Sequence, residues 1–413
     1  MNSEADIIVV GCGAAGATVA ETAASLGSKV LLLEEHDRVG VPSHCSGHVG
    51  IRSMKRLGIP LPSEIIKNQI RGAVICSPSG QILHLERQTP ITWVLDRRAF
   101  DEHLVHRAQK AGAQIQFNTR ANSMQATDDY RYRVQASAGA KLHEFNCRLV
   151  VDCEGASPML TRLRSESERR GQMWVNSAQV QVDHAEDLNE DLVEMYLGSA
   201  YAPGFFAWMV PWRDGSAKVG LATREGNPRL YLERFIKRHP VASRKLKNAR
   251  QGDVSYHPIP VGGPIPKTYS SGMLIVGDSA QQVKPTTGGG IVFSMICAKI
   301  AGKVAHDASR AGDTSESSLS RYEREWKREI GRDLNAMRRI RRMLFRLPDR
   351  RLEKIFSIVR TFDLATILNK VDDIDMQGRT LAKLGLDPRV AISLLCSSIL
   401  SFPFIVESNT TEA

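Results

Sequence analysis

Three side chains with chemistry of their own crowd one short stretch, "VGVPSHCSGHVG" from Val39 to Gly50: His44, Cys45 and His48, set among glycines and a proline. Imidazole and thiolate are metal ligands, but a metal site needs three or four of them converging at bonding distance. These three lie too close together in a glycine loop, and no distant C-x-x-C or H-x-x-x-H completes them, so no metal is expected. Two readings of Cys45 stay open. It is a buried thiol packing as a small hydrophobe, or it faces a cofactor, either donating a proton or shaping the wall.

Two glycine-rich runs bear on that choice. "GCGAAG" fits G-x-G-x-x-G at Gly11, Gly13 and Gly16, with Ala15 within the turn and Glu34 closing the next strand. Glycines let the backbone turn tightly and approach a pyrophosphate, the helix N-terminus offers N–H groups, and an acid at the second strand accepts from ribose hydroxyls. Glu34, rather than an arginine, favours a free 2′-hydroxyl, hence FAD or NAD over NADP. The second run is "LIVGDSAQQVKPTTGGGI", residues 274 to 291. Asp278, just past a strand, can accept from polyol hydroxyls. Gly288, Gly289, Gly290 and Ile291 expose successive N–H groups at a helix start, suited to an electron-rich carbonyl edge.

The elements that must position these groups alternate along the chain. Residues 6 to 36 read as strand, turn, Ala-rich helix and strand, and residues 93 to 121 repeat that alternation. "RYRVQAS" and "CRLVVDCEGA" read as strands in hairpin style, and residues 174 to 224 as a separate antiparallel sheet rich in aromatics. "GMLIVGDSA" is another buried strand, and from about Ser315 the pattern is helical and charged. The expected class is therefore α/β. A discontinuous nucleotide-binding domain (1–75, 93–165 and 270–312) shares the chain with a substrate-binding sheet (76–92 and 166–269) and a C-terminal helical region (313–413).

With these residues in view, the chain resembles FAD-dependent enzymes of the glutathione-reductase-like, para-hydroxybenzoate-hydroxylase-type fold. Its GD…P…GGGI run matches that family's signature, which implies that Asp278 binds the ribityl chain and that Gly288 to Ile291 lie against the isoalloxazine. "VLDRRAFDEHL" is similar to the family's strand–Arg–helix segment, with Arg97 contacting the flavin nucleotide and Ala121 nearby. "VVDCEGA" resembles its A-D-G-A-x-S element, with Glu154 where aspartate is usual. "VGVPSHCSGHVG" resembles the G-x-P-x-x-C-x-G segment of the geranylgeranyl reductase branch, which includes archaeal digeranylgeranylglycerophospholipid reductases. "APGFFAWMVP" resembles that branch's P-G-Y-x-W-x-F-P motif, with Phe206 in place of tyrosine. The resemblance implies that Cys45 faces the flavin ring while Ser46, Gly47 and His48 meet the nucleotide. Phe206, Trp208 and Pro211 would line a prenyl tunnel, or simply pack the sheet.

Bulk properties bound the rest. With 42% hydrophobic and 24% charged residues, the 413-residue chain has globular, not disordered, composition. Seven dispersed cysteines without a C-x-x-C pair point to a reducing compartment. The start of the sequence has no basic n-region, and the longest apolar run, near residues 390 to 406, is serine-rich and broken by Pro403. A cytoplasmic location is expected, either free or peripheral on the inner face of the cell membrane. Of the net charge of +10, residues 332 to 354 carry nine basic against three acidic side chains, with Met337, Ile340, Leu344 and Leu347 at helical spacing. That segment is either a membrane-surface helix or a solvated helix packing its stripe on its own protein. No nucleic-acid recognition pattern accompanies the charge.

Function is expected to be flavin-dependent saturation of isolated prenyl double bonds in archaeal-type lipids. Electrons would come from a transient donor, a reduced nicotinamide or a ferredoxin-like protein, since only one G-x-G-x-x-G exists. The alternatives are a monooxygenase or halogenase on the same fold, a polyprenyl-quinone side-chain reductase, or a prenyl-binding escort protein that does not use flavin.

Overall fold

The computed structural model describes residues 4–127, 131–158, 160, 173–344, 346–361 and 375–376. Three short runs, Ile7–Val10, Val30–Leu33 and Leu149–Asp152, are buried at every position. A strand without polar alternation needs cover on both faces, the situation of a parallel sheet between two layers. These runs form the centre of a six-stranded sheet ordered Tyr269–Ser270, Met273–Ile275, Leu149–Asp152, Ile7–Val10, Val30–Leu33, Gln114–Gln116. All pairings in it are parallel except the outermost, between the first two strands.

The two-residue period of the strand divides the cover. Ile7 and Val9 face helices Ala14–Ser25, Arg97–Lys110 and Ile291–Ala311. Ile8 and Val10 face an antiparallel meander of Arg120–Ala126, Tyr132–Ala138 and Lys141–Cys147. At Gly302 the Ile291–Ala311 and Ala14–Ser25 helices approach so closely that a Cβ would sit 2.7 Å from Thr22 Cβ. One expectation is corrected here. The run "LVVD" is not part of a hairpin but a central parallel strand, because its four buried residues require cover on both faces.

A second sheet is antiparallel but for one pairing. Its order is Arg250–Gln251, Trp174–Asp183, Ala217–Thr223, Phe206–Pro211, Leu192–Leu197, Gly72–Cys76, Ile82–Glu86, with Ser255–Pro260 also on Trp174–Asp183. Gly72–Cys76 joins it in parallel to Leu192–Leu197, a few residues ahead of the boundary expected at 76. Helix Pro228–Arg238 packs on its outer face, opened by Pro228 and capped by the Asn227 side chain, which accepts from the Arg229 N–H. A separate small sheet of His48–Gly50, Thr92–Leu95 and Ile66–Ile70 holds the end of the cysteine loop.

The C-terminal helices Glu316–Trp326, Arg332–Leu344 and Asp349–Thr361 follow. Leu334 and Met337 are buried in the main core, so this part of the basic helix packs its apolar stripe on its own protein. Ile340 and Leu347 are half-buried, and the Leu344 side chain lies outside the described residues. So does the apolar run at 390 to 406. Helix Asp349–Thr361 docks through its acids. Asp349 accepts from the Ser199 hydroxyl (2.9 Å), and Glu353 accepts from Ser77 Oγ (2.9 Å) and Gln81 Nε2 (2.7 Å). No helix among the described residues is long and apolar enough to cross a membrane.

Candidate functional site

The glycine turn divides its labour. Gly11, at φ +96°, could carry no Cβ without meeting the Cys153 carbonyl oxygen at 2.4 Å, and a Cβ at Gly16 would sit 1.8 Å from the Gly11 oxygen. Both are packing requirements. Gly13 is different: a Cβ there meets nothing within 4 Å. It is also the N-cap of Ala14–Ser25, which has neither a side-chain cap nor an acid in its first turn. The first N–H groups of that helix therefore have no side-chain cap, the arrangement that suits an anionic ligand. Glu34 is fixed from the same turn, for the Cys12 N–H donates to its Oε2 at 2.9 Å. His36 meets its other oxygen through the backbone N–H (3.1 Å) and Nδ1 (2.6 Å).

These groups line one cavity of about 700 Å³. Of the residues singled out in the sequence, Gly11, Gly13, Ala15, Glu34, Arg97 and Ala121 are in its wall. So are Cys45, Ser46 and His48, then Asp278 and Gly288 through Ile291, and finally Phe206 and Trp208. Gly16, Gly47 and Pro211 are not in that wall. Gly16 packs against Gly11, and Gly47, at φ +76°, brings the loop so close that a Cβ would be 2.1 Å from the Leu95 oxygen. Pro211 is buried in the sheet, where its carbonyl accepts from Asn68 Nδ2 (2.9 Å).

Asp278 lies on a 3₁₀ turn, Gly277–Ala280, after the strand Met273–Ile275. A Cβ at Gly290 would stand 2.8 Å from its Oδ1, so glycine there lets carboxylate and turn meet. Helix Ile291–Ala311 begins at Gly290, again with no side-chain cap and no acid in its first turn. Two helix N-termini and two carboxylates therefore face one space, as an extended polyol diphosphate requires.

The cysteine loop is clamped from the small sheet and from the large antiparallel one. The Leu95 N–H donates to the Gly47 oxygen (2.9 Å), and Lys218 Nζ donates to the Cys45 oxygen (2.7 Å). Cys45 Sγ accepts from the Gly47 N–H at 3.4 Å. Arg97 reaches the same sulfur's surroundings from the start of its helix, with Nη2 held by both oxygens of Asp101 (3.0 and 2.9 Å). Burial alone would lower the Arg97 pKa, but Asp101 and Cys45 outweigh it and hold the guanidinium charged.

Four residues that sequence reasoning did not name also stand in or at this wall. The His257 ring stacks on His44 at 3.9 Å, with its Nε2 3.9 Å from Asp278 Oδ2. Burial, then His257 and Arg97, push the His44 pKa down to about 3, so that ring is neutral. Lys284 and Asp375 form a buried ion pair at 2.6 Å. Lys218 is the fourth. The signal for Lys284 and Lys218 was a lysine inside otherwise apolar or glycine-rich text. For Asp375, ninety-one residues from its partner, the sequence offers none. Among the described residues, no group of three or more His, Cys, Asp or Glu could hold a metal ion.

The apolar end of the cavity is built by Phe206 and Trp208, whose rings meet edge to face at 5.9 Å. The indole lies over Gly220, its cross-strand partner, where a Cβ would come within 2.6 Å of the ring, and its Nε1 donates to Gln179 Oε1 (3.2 Å). Val193, Met195, Val210 and Ile259 continue this surface, and Arg71 and Arg87 also line the cavity.

The open approach at Gly13, the two uncapped helix starts and the placed acids fit FAD, and FAD is the cofactor. The model of the FAD binding domain family matches residues 4–332. The chain is 32% identical over 358 residues to a digeranylgeranylglycerophospholipid reductase of Methanocaldococcus jannaschii, covering 86% of this chain and 90% of that one. It is 33% identical over 375 residues to digeranylgeranylglycerophospholipid reductase 2 of Methanothermobacter thermautotrophicus, covering 88% and 93%. The crystal structure of a geranylgeranyl bacteriochlorophyll reductase-like protein from Thermoplasma acidophilum superposes with a TM-score of 0.83 at 24% identity, over 95% of this chain and 99% of that one. With its glycine turn, its Asp278 turn and its cysteine loop in one cavity, the chain belongs to the FAD-dependent digeranylgeranylglycerophospholipid reductase family.

Proposed function

We propose that this protein saturates isolated double bonds in geranylgeranyl or related polyprenyl chains of archaeal-type membrane lipids. The observation that carries the reading is the continuity of the cavity. Polar groups suited to FAD and aromatic and aliphatic side chains share one space, and Cys45 is in its wall. Similarity to named lipid reductases supports the same substrate class.

In this reading Gly13 and the helix behind it hold the pyrophosphate, Glu34 the ribose, and Asp278 the ribityl chain, while Gly288 to Ile291 support the ring. Bound FAD, once reduced, supplies a hydride equivalent. An unpolarised alkene also needs a proton on its other carbon. Cys45 Sγ holds that proton. The thiolate left behind is stabilised by the Gly47 N–H and by the charged Arg97 guanidinium, and water from outside reprotonates it. The faces of Phe206 and Trp208 tolerate positive character on the carbon chain, and the surrounding aliphatic side chains keep the chamber dry. Arg71, paired with Glu86 (2.7 Å) and Asp191 (3.0 Å), and Arg87 line the same cavity and would meet the anionic headgroup. Electrons reach the cofactor from a transiently bound reduced nicotinamide or small redox protein.

The test is anaerobic incubation of chemically reduced holoenzyme with a geranylgeranyl glycerophospholipid, read by mass spectrometry. Gains of two mass units per double bond are expected. Unreduced lipid under these conditions, with an oxygenated product in air, would support the hydroxylase reading instead.

A further inference from the structure

Lys284 and Asp375 are a pair of charges that this mechanism does not use. Lys284 Nζ and Asp375 Oδ1 are 2.6 Å apart, the residues are 6% and 1% exposed, and both line the cofactor cavity. The second carboxylate oxygen, Oδ2, accepts from the Gly50 N–H at 3.0 Å, which ties the pair to the end of the cysteine loop. Lys284 is also wound into the glycine turn. Its N–H donates to the Gly289 oxygen (3.1 Å), its carbonyl accepts from the Gly288 N–H (2.9 Å), and its Cε would lie 2.6 Å from a Cβ at Gly289. The lysine backbone is thus bound to the same turn that is expected to support the flavin ring, and its Nζ would lie 3.1 Å from a Cβ at Gly289. His48 is held neutral, its pKa pushed down to about 4 by burial and then by Lys284.

An ammonium buried beside a redox group favours the electron-rich reduced form, and a carboxylate beside it cancels that effect. The carboxylate here does not come from the cofactor-binding part of the chain. It comes from beyond helix Asp349–Thr361. We infer that Asp375 neutralises Lys284 at the cofactor cavity, so that this carboxylate sets the reduction potential of the bound flavin. Asp375 and Lys284 are positioning residues in this role. The inference rests on FAD binding and is independent of which lipid is reduced.

The experiment is a midpoint-potential titration of the FAD-loaded full chain. Asp375→Asn keeps an oxygen for the Gly50 N–H but leaves the cation uncompensated. It should raise the potential by about 30 mV, a tenfold change in the reduced-to-oxidised ratio of a two-electron couple. Lys284→Gln should lower it, the double variant should return near wild type, and Asp375→Glu should restore the wild-type value. Potentials that match wild type in both single variants would overturn the inference. A wild-type preparation without flavin absorbance would overturn the cofactor assignment itself, which separates the two failures.

Discussion

Lys218 Nζ donates a 2.7 Å hydrogen bond to the carbonyl oxygen of Cys45, joining the large antiparallel sheet to the cysteine loop. The lysine is 6% exposed and its pKa is lowered by burial, with Cys45 partly offsetting that. A buried ammonium is retained where it holds something in place. Lys218→Met keeps the side-chain length and removes the donor. Alkene reduction should fall about ten- to a hundredfold through misplacement of Cys45, with FAD content unchanged. Loss of FAD with intact specific activity per bound flavin would assign Lys218 to cofactor retention.

The two outer glycines of the turn and its middle one should separate cleanly. Gly13 has φ −67° and open space around its Cβ position, so Gly13→Ala should leave apoprotein stability within about 1 kcal/mol of wild type. FAD affinity should nevertheless drop at least tenfold, read by flavin fluorescence quenching. Gly16→Ala, with a Cβ 1.8 Å from a backbone oxygen, should instead destabilise the apoprotein by several kcal/mol, read by urea denaturation. Equal behaviour of the two variants would contradict this division.

Much of this site could be read from the sequence because glycines and acids at fixed spacing report local backbone geometry. Gly11, Gly13, Glu34, Asp278 and the Gly288–Gly290 turn each sit next to a strand or helix end that their own neighbours define. Lys218, His257 and Asp375 could not be read that way. Lys218 lies in Ala217–Thr223, buried at every position, and only sheet pairing aims it at Cys45. His257 meets His44 through the fold of two distant segments, and Asp375 reaches Lys284 from past the last described helix. The strand "LVVD" was misplaced for a related reason. One residue separates it from Lys141–Cys147, so contiguity suggested a hairpin, while burial on both faces put it in the parallel sheet.

Acid should weaken the fold through three histidines. His48 and His239 are pushed down to about 4 and His44 to about 3, chiefly by burial, against about 6.5 in the unfolded chain. Between those values the unfolded chain binds protons that the folded chain refuses, so stability falls as pH drops from about 6.5 to about 4, and through His44 on to about 3. The slope is ~1.4 kcal/mol per pH unit for each group within the window, and it vanishes above and below it. His239 Nδ1 accepts from the Val241 and Ala242 N–H groups, so His239→Asn preserves an acceptor. Urea midpoints at pH 7 and pH 5 should lie closer together in that variant than in wild type. An unchanged gap would place the acid sensitivity elsewhere.

The basic surface of the C-terminal helices should meet anionic lipid. Arg339, Arg342, Arg346, Arg350, Arg351 and Lys354 are exposed, while the acids Asp349 and Glu353 point into contacts with Ser199, Ser77 and Gln81. Each exposed basic group near a charged bilayer contributes about 1 kcal/mol. Co-sedimentation with vesicles containing an acidic phospholipid should be strong at low salt and lost at high salt. R350E/R351E should weaken it at least tenfold. Equal binding to neutral vesicles would show that the charges are not responsible.

The central claim is that Cys45, in the wall of the cavity that also holds Phe206 and Trp208, delivers the proton that completes alkene reduction. Its most direct test is a single-turnover measurement: reduced holoenzyme mixed anaerobically with a geranylgeranyl lipid, following flavin reoxidation in wild type and Cys45→Ala. We expect the variant to retain its FAD and to lose about a hundredfold or more in reoxidation rate, as removal of a general acid does. Reoxidation of Cys45→Ala at the wild-type rate would contradict the account.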